Sequence, residues 1–346
     1  MLRFAVYSAL GLALATLLVM IQVLVFSELA MRRERRRQAF NLLWRPIFAQ
    51  WSLGGEPDGP LPSLSRGQRL WFLLQWNRTQ LHLRGGAQER MNAALRALGM
   101  QAVALRLLQG RPQARLIGLS CLRHLADAEF WPAVEQLTQH RNPIVVLAAL
   151  QTLTAIDASR AMRLTLTLAQ RRQDLALPRL IGLCRQAGPG AVTPALLDVL
   201  LGPDEDLRTR MAALLPYADP RAMAPWARHH VDFGSTASVQ IRYGLQCLGE
   251  LADPIDRSRI LARLDDRRSA VRHAAVEAFA HQATRNDDTA LLPLLADENW
   301  WVRQAAADAL VALPGMDSVR LARMLAQTTD RYGQDALRRA IAEVRR

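Results

Sequence analysis

A pattern that returns every 31 residues constrains this chain more than any other feature of its sequence. VRHAAVEAFAHQAT begins at Val271 and VRQAAADALVALPG at Val302. Stepping by the same interval, with one two-residue insertion, places block starts at 114, 145, 176, 207, 240, 271, 302 and 333. The ninth residue of each block is Leu122, Leu153, Cys184, Leu215, Leu248, Phe279, Leu310 and Ile341, apolar every time. Since 50% of the chain is hydrophobic, chance fills such a column about once in 256. The eighth residue is apolar except at Thr152 and the twelfth except at Gln282. The fifth is small or apolar throughout: Gly118, Ala149, Leu180, Met211, Gly244, Ala275, Ala306 and Leu337. These columns share one face of an α-helix, a stripe that must be buried.

Between the stripes lie second short apolar segments: Trp131–Leu137, Thr193–Leu201, Arg259–Leu264 and Ala290–Leu295. Each unit therefore reads as a helical hairpin that cannot cover its own faces and must stack on its neighbours. The blocks resemble HEAT repeats in their short form of about thirty residues, as in phycobilin-lyase-like and many bacterial HEAT proteins, which tends to read D-x(4)-V-R-x-x-A-x-x-A-L. Asp266 and Asp297 precede Val271-Arg272 and Val302-Arg303 by that interval. Arg115 and Arg208 occupy the arginine column, while Val146, Leu177, Ile241 and Gln334 depart from it. The resemblance covers residues 114–346 and reaches back in degenerate form to Leu70. Ankyrin and tetratricopeptide arrays have similar periods, but their signatures are missing. The expected fold is all-α: a right-handed α-solenoid of HEAT-like helical hairpins preceded by one transmembrane helix.

That helix is expected from Phe4 to Phe26, 23 residues without a charge, the length of a membrane span. A cleaved signal peptide is the competing reading, but the apolar run continues well past Ala13-Leu14-Ala15. Arg32, Arg33, Arg35, Arg36 and Arg37 follow directly. By the positive-inside rule they place the chain as a single-pass protein of a bacterial inner membrane, with the N-terminus outside and the solenoid in the cytoplasm. Residues 38–51 carry Phe40, Leu43, Trp44, Ile47, Phe48 and Trp51 at roughly helical spacing. They suit either a headgroup boundary or a cap on the first repeat, with a break expected near Pro46. The expected domains are an anchor over 1–31, a basic juxtamembrane segment and linker over 32–67, and the solenoid over 68–346.

Charge separates partner classes. All 44 basic residues are Arg, which points to a GC-rich, bacterial genome rather than to guanidinium chemistry. Residues 1–125 hold 17 Arg against 5 acids, whereas residues 126–346 hold 27 Arg against 26 acids. The basic excess sits near the expected anchor, where anionic lipid headgroups are the nearest partner. Nucleic-acid binding, as in alkylpurine glycosylases that resemble HEAT solenoids, needs a basic groove that the near-neutral remainder does not supply. A phycobilin-lyase-like activity follows only from the repeat resemblance.

No constellation of residues specifies catalysis, so the expectation is a non-enzyme without cofactor or metal. Cys121, Cys184 and Cys247 fall in apolar columns and read as small core residues. The acids Asp204-Glu205-Asp206, Asp265-Asp266 and Asp297-Glu298 recur before helices, where carboxylates cap backbone N–H groups. His229-His230-x-Asp232 resembles metal ligands but lacks a third strong ligand. It lies in the longer repeat with Pro225, Trp226 and Gly234. Trp300-Trp301 stands where neighbouring repeats hold Ser269-Ala270 and Ser238-Val239. It reads either as an inter-repeat wedge or as an exposed hot spot. The candidate partner-binding residues are Trp300, Trp301, Trp226, His229 and His230. The expected function is a membrane-tethered scaffold or adaptor that holds a protein partner in a membrane complex. Leu215 is expected in the core and Arg210 in solvent.

Overall fold

Hairpins that cannot bury their own stripes have to stack, and the computed structural model shows how they do. It describes residues 2–55, 59–172, 174–233 and 238–344, without the side chains of residues 2–13 and 15. Among the described residues all regular structure is helical. The chain divides into two compact units, Met1–Thr152 and Leu153–Arg346. The first holds α1 (Leu2–Leu53), α2 (Gln68–Gln80), α3 (Gly86–Ala97), α4 (Met100–Leu107), α5 (Pro112–Leu125) and α6 (Trp131–Glu135). The boundary falls within α7 (Pro143–Ile156). The second unit holds α8 (Ala158–Arg171), α9 (Leu177–Ala187), α10 (Pro189–Leu200), α11 (Glu205–Met211), α12 (Pro220–Phe233) and α13 (Ser238–Leu251). It continues through α14 (Arg257–Leu261), α15 (Ser269–Ala280), α16 (Asp288–Leu291), α17 (Trp300–Val311), α18 (Ser318–Gln327) and α19 (Arg331–Val344).

The membrane reading requires correction. The expected anchor falls in part on residues 4–13 and 15, whose side chains lie outside the described set. Among the described residues no helix is long and apolar enough to cross a membrane. The placement as a single-pass inner-membrane protein with a cytoplasmic solenoid is therefore withdrawn.

The aromatic end of α1 also settles between its two readings. Phe40, Trp44 and Phe48, spaced four apart, are buried. Trp44 meets Phe72 of α2 edge-on with ring centroids at 5.0 Å, and Phe48 lies 5.1 Å from the same ring. The segment thus caps the helices that follow it. Pro46 does not break α1, which runs unbroken to Leu53. Trp44 before it and Phe48 after it are both held against one partner ring, and that packing offsets the missing backbone hydrogen bond.

In the second unit α13, α15, α17 and α19 stack in succession, as the 31-residue register requires. The ninth-column residues Leu215, Leu248, Phe279 and Leu310 are buried. The second column does separate work: its side chain donates to the carbonyl six residues upstream and so closes the loop that leads into its own helix. Arg208 reaches Gly202 O at 2.9 Å, Arg272 reaches Asp266 O at 2.8 Å and Arg303 reaches Asp297 O at 2.7 Å. Gln334, a departure in sequence, keeps the bond through Nε2 to Thr328 O at 2.7 Å. Arg272 additionally joins two repeats, since its Nε and Nη2 bind both Asp297 carboxylate oxygens at 2.6 and 2.8 Å.

Two packing details carry predictions. A Cβ on buried Gly249 would stand 2.7 Å from Ala278 Cα, so α13 and α15 approach through that missing side chain. Inside a helix Gly→Ala ordinarily stabilises by roughly 0.5–1 kcal/mol. Here Gly249→Ala is expected to do the reverse, lowering the chemical-denaturation midpoint. The second detail is Arg210, expected in solvent but half-buried, where Nη1 and Nη2 donate to Ala169 O and Leu175 O at 2.9 and 2.5 Å. Arg210→Met should cost about 1–3 kcal/mol through unpaired carbonyls. Leu215→Asp should cost several by burying a lone carboxylate. Equal tolerance of Leu215→Asp and an exposed change such as Glu277→Gln would contradict the register.

Candidate functional site

The loop before α17 determines where two tryptophans end up. The Asp297 carboxylate accepts from the Asn299 N–H at 2.8 Å, and the Asn299 side chain then accepts from the Trp301 N–H at 2.9 Å as the helix N-cap. Asn299 Nδ2 also donates to Ser269 Oγ at 3.3 Å in the preceding repeat. This chain of bonds fixes the first turn of α17, and Trp300 and Trp301 project from it. They are 49% and 63% exposed, with rings in edge contact at 4.5 Å. A wedge between repeats would be covered, whereas these rings stand about half or more open to solvent.

Below the rings runs a groove between α15 and α17 of about 540 Å³. Its apolar lining is made of small residues, Ala280, Ala305, Ala309 and Ala312, which explains why space is left open. His273 and Glu277 line one side, and Gln304 and Asp308 the other. His273 Nδ1 lies 3.3 Å from Glu277, whose side chain is 63% exposed. Asp308 accepts from Arg339 at 2.6 Å, and Arg339 also binds Glu343 at 2.7 Å. Trp301 and His273 border a second, smaller cavity with Arg242 and Asn299. These polar residues sit in the third and seventh columns, which the sequence shows only as non-core positions. Which of them face the tryptophans emerges only once α15 and α17 are set side by side.

The other candidates lie differently. Trp226 is only 5% exposed, and its indole N–H finds no acceptor among the described residues. Its ring stacks on His230 at 4.2 Å, and His230 Nδ1–H donates to the Trp226 carbonyl at 2.9 Å. Burial holds the His230 imidazole below its ordinary pKa. His229 and Phe233 are exposed, their rings 5.5 Å apart. Burial therefore removes Trp226 from any surface shared with Trp300 and Trp301. Asp232 is engaged by Arg259 at 2.8 Å, and Gly234 lies outside the described residues. Among the described residues no three His, Cys, Asp or Glu side chains gather as a metal-holding group.

In the first unit Arg32, Arg33, Arg35 and Arg36 are exposed on α1 and Arg37 is partly covered. Arg32 pairs with Glu28 at 2.8 Å, and Arg37 stands 4.0 Å from Glu34. Arg32, Arg33 and Arg36 border a groove that also meets Phe40, Trp44 and Trp71. The three cysteines are buried, and burial pushes each thiol up to about 12.

Residues 289–313 match the HEAT repeat family, and this stretch is the hairpin that carries the tryptophan pair. No curated protein sequence matches the chain. Among solved structures, the chain is similar to an engineered protein whose crystal structure came from the Northeast Structural Genomics Consortium. The two share 16% identity and a TM-score of 0.37 over 82% of this chain and 86% of that one. The match supports a HEAT repeat at that stretch, and the stacked helical hairpins of the second unit fit an α-solenoid.

The loops that position α15 and α17 are sensitive to acid. Arg268, then the Arg268 N–H and Arg263, draw the Asp266 carboxyl down from 3.8 to about 2. Burial alone would raise Asp297, but bonds from Arg272 and the Asn299 N–H hold it below the usual carboxylate range. Depressed carboxylates stabilise the fold above their unfolded pKa and lose that contribution as pH falls through the folded value. The urea midpoint is therefore expected to fall between about pH 4 and pH 2. Arg268→Gln should lower the midpoint at neutral pH and make that acid fall shallower, because the gap between folded and unfolded Asp266 closes; an unchanged acid limb would show that Arg268 does not hold Asp266.

Proposed function

We propose that this chain is a non-enzymatic scaffold or adaptor that holds a protein partner on its HEAT-like repeats. One observation carries the reading: two adjacent tryptophans stand exposed above an open groove, at columns where neighbouring repeats hold Ser269-Ala270 and Ser238-Val239. Exposing two indoles to water is unfavourable by the apolar area involved. Tryptophan is also the residue most enriched among interface hot spots, where a rigid apolar body with one N–H donor gains most from being covered. The repeats themselves agree with the short form, since their period is 31 residues and the aspartate and arginine columns recur in the last blocks.

The remaining chemistry is consistent with holding rather than converting. The thiols are buried and protonated. The Asp266 and Asp297 carboxylates pair with arginines inside the fold.

The test compares tagged full-length protein with the Trp300→Ala/Trp301→Ala variant in affinity purification from the source cells, with co-purifying proteins identified by mass spectrometry. The variant is expected to weaken capture of a specific partner by about 2 kcal/mol or more, while helical content and melting stay near those of the parent. Normal capture by a variant that melts far lower would make the tryptophans structural and remove this reading.

A further inference from the structure

The groove under the tryptophans has a chemical preference written into its walls. Glu277 on α15 and Asp308 on α17 face it from opposite sides. The arginine that reaches the groove, Arg339, is already engaged by two acids, Asp308 and Glu343. Of the residues that line the groove, Glu277 and Asp308 are acidic and Arg339 is the arginine, which leaves one negative charge uncompensated by arginine. Glu277 has His273 as its ionisable neighbour, and its carboxylate is largely in solvent. Trp300 and Trp301 add aromatic faces, which attract cations electrostatically. The alanines between these walls suit the methylene stem of a long side chain, because they offer apolar contact without blocking the space.

We propose, building on the scaffold reading, that the α15–α17 groove binds a basic segment of the partner protein. An arginine of that segment would lie with its stem on Ala305 and Ala309, its guanidinium against a tryptophan face and in reach of Glu277. Each element selects for the same ligand: the carboxylates for positive charge, the indoles for a flat or weakly hydrated cation, the alanines for an unbranched stem. Long-range electrostatics work against this binding, since the whole chain carries +13. At physiological salt, however, fields are screened within about 8 Å, so the groove's own carboxylates dominate at contact. For the same reason, a cationic peptide that binds this basic protein reports a local site rather than general attraction.

The experiment uses the full-length chain and a dye-labelled short peptide alternating Arg and Leu, read by fluorescence anisotropy at physiological salt. A matched peptide carries citrulline in place of Arg, which keeps shape and hydrogen bonding but removes the charge. The Arg peptide is expected to bind about tenfold more tightly than the citrulline peptide, or about 1.4 kcal/mol. Glu277→Gln, an exposed substitution that leaves the core untouched, should bring the two affinities close together. Trp300→Ala/Trp301→Ala should abolish binding of both. Equal binding of the two peptides, lost in the tryptophan variant, would overturn the cationic preference and leave the scaffold reading standing. Arg-peptide binding that ignores Glu277→Gln would place the site elsewhere and overturn the inference. Failure of both peptides to bind, while partner capture still depends on the tryptophans, would overturn it too.

Discussion

Everything in the second unit depends on one constraint: a short helical hairpin has two apolar faces and only one partner helix of its own. The eighth- and ninth-column residues of α13, α15 and α17 are buried because the next repeat covers them. The closeness of that cover is visible at Gly249, where a single added carbon would meet the backbone of Ala278. A stack made this way is stabilised by nearest-neighbour interfaces, and its stability is spread along the array. The polar columns then act on the loops rather than on the core. Arg208, Arg272, Arg303 and Gln334 each hold the turn entering their helix, and Arg272 ties its repeat to the next through Asp297.

The same division explains what could be read in the sequence. The buried columns were legible because apolarity at a fixed interval is a composition signal, and Leu215, Phe279 and Leu310 needed no coordinates to be placed in the core. Gln334 seemed to break the arginine column, yet its amide makes the same bond at the same offset; the column selects a donor of sufficient reach, not a charge. Arg210 was misplaced because its partners, the carbonyls of Ala169 and Leu175, lie more than thirty residues upstream in sequence. No local pattern marks an arginine that closes the end of an earlier helix. Pro46 illustrates the converse: a strong local rule was overridden by Trp44 and Phe48 packing on Phe72.

The candidate site was legible only in part. Trp300-Trp301 stood out as a departure from its columns, but exposure and burial give the same departure in sequence. Trp226 departs equally and is buried against His230. The difference lies in position on the helix. Trp300 and Trp301 occupy the first turn of α17, held outward by the Asn299 cap, whereas Trp226 sits midway along α12 on its covered face. The groove was not legible at all, because its walls come from two repeats and its floor is defined by what alanine omits.

That omission links the fold to the proposed binding. Alanine recurs in these repeats because close helix stacking demands small residues, and Ala275 and Ala306 serve that demand in the buried fifth column. At the rim, Ala305 and Ala312 are not fully covered, so the same residue type that permits stacking leaves an open floor there. A repeat array thus produces shallow grooves between successive helices as a by-product of its packing. What distinguishes one groove from the next is the residues at columns that packing leaves free. In the pair formed by α15 and α17 those columns hold Glu277, Asp308 and two tryptophans. Changing them need not disturb the core, so partner choice in such an array can vary without cost to the stack that supports it.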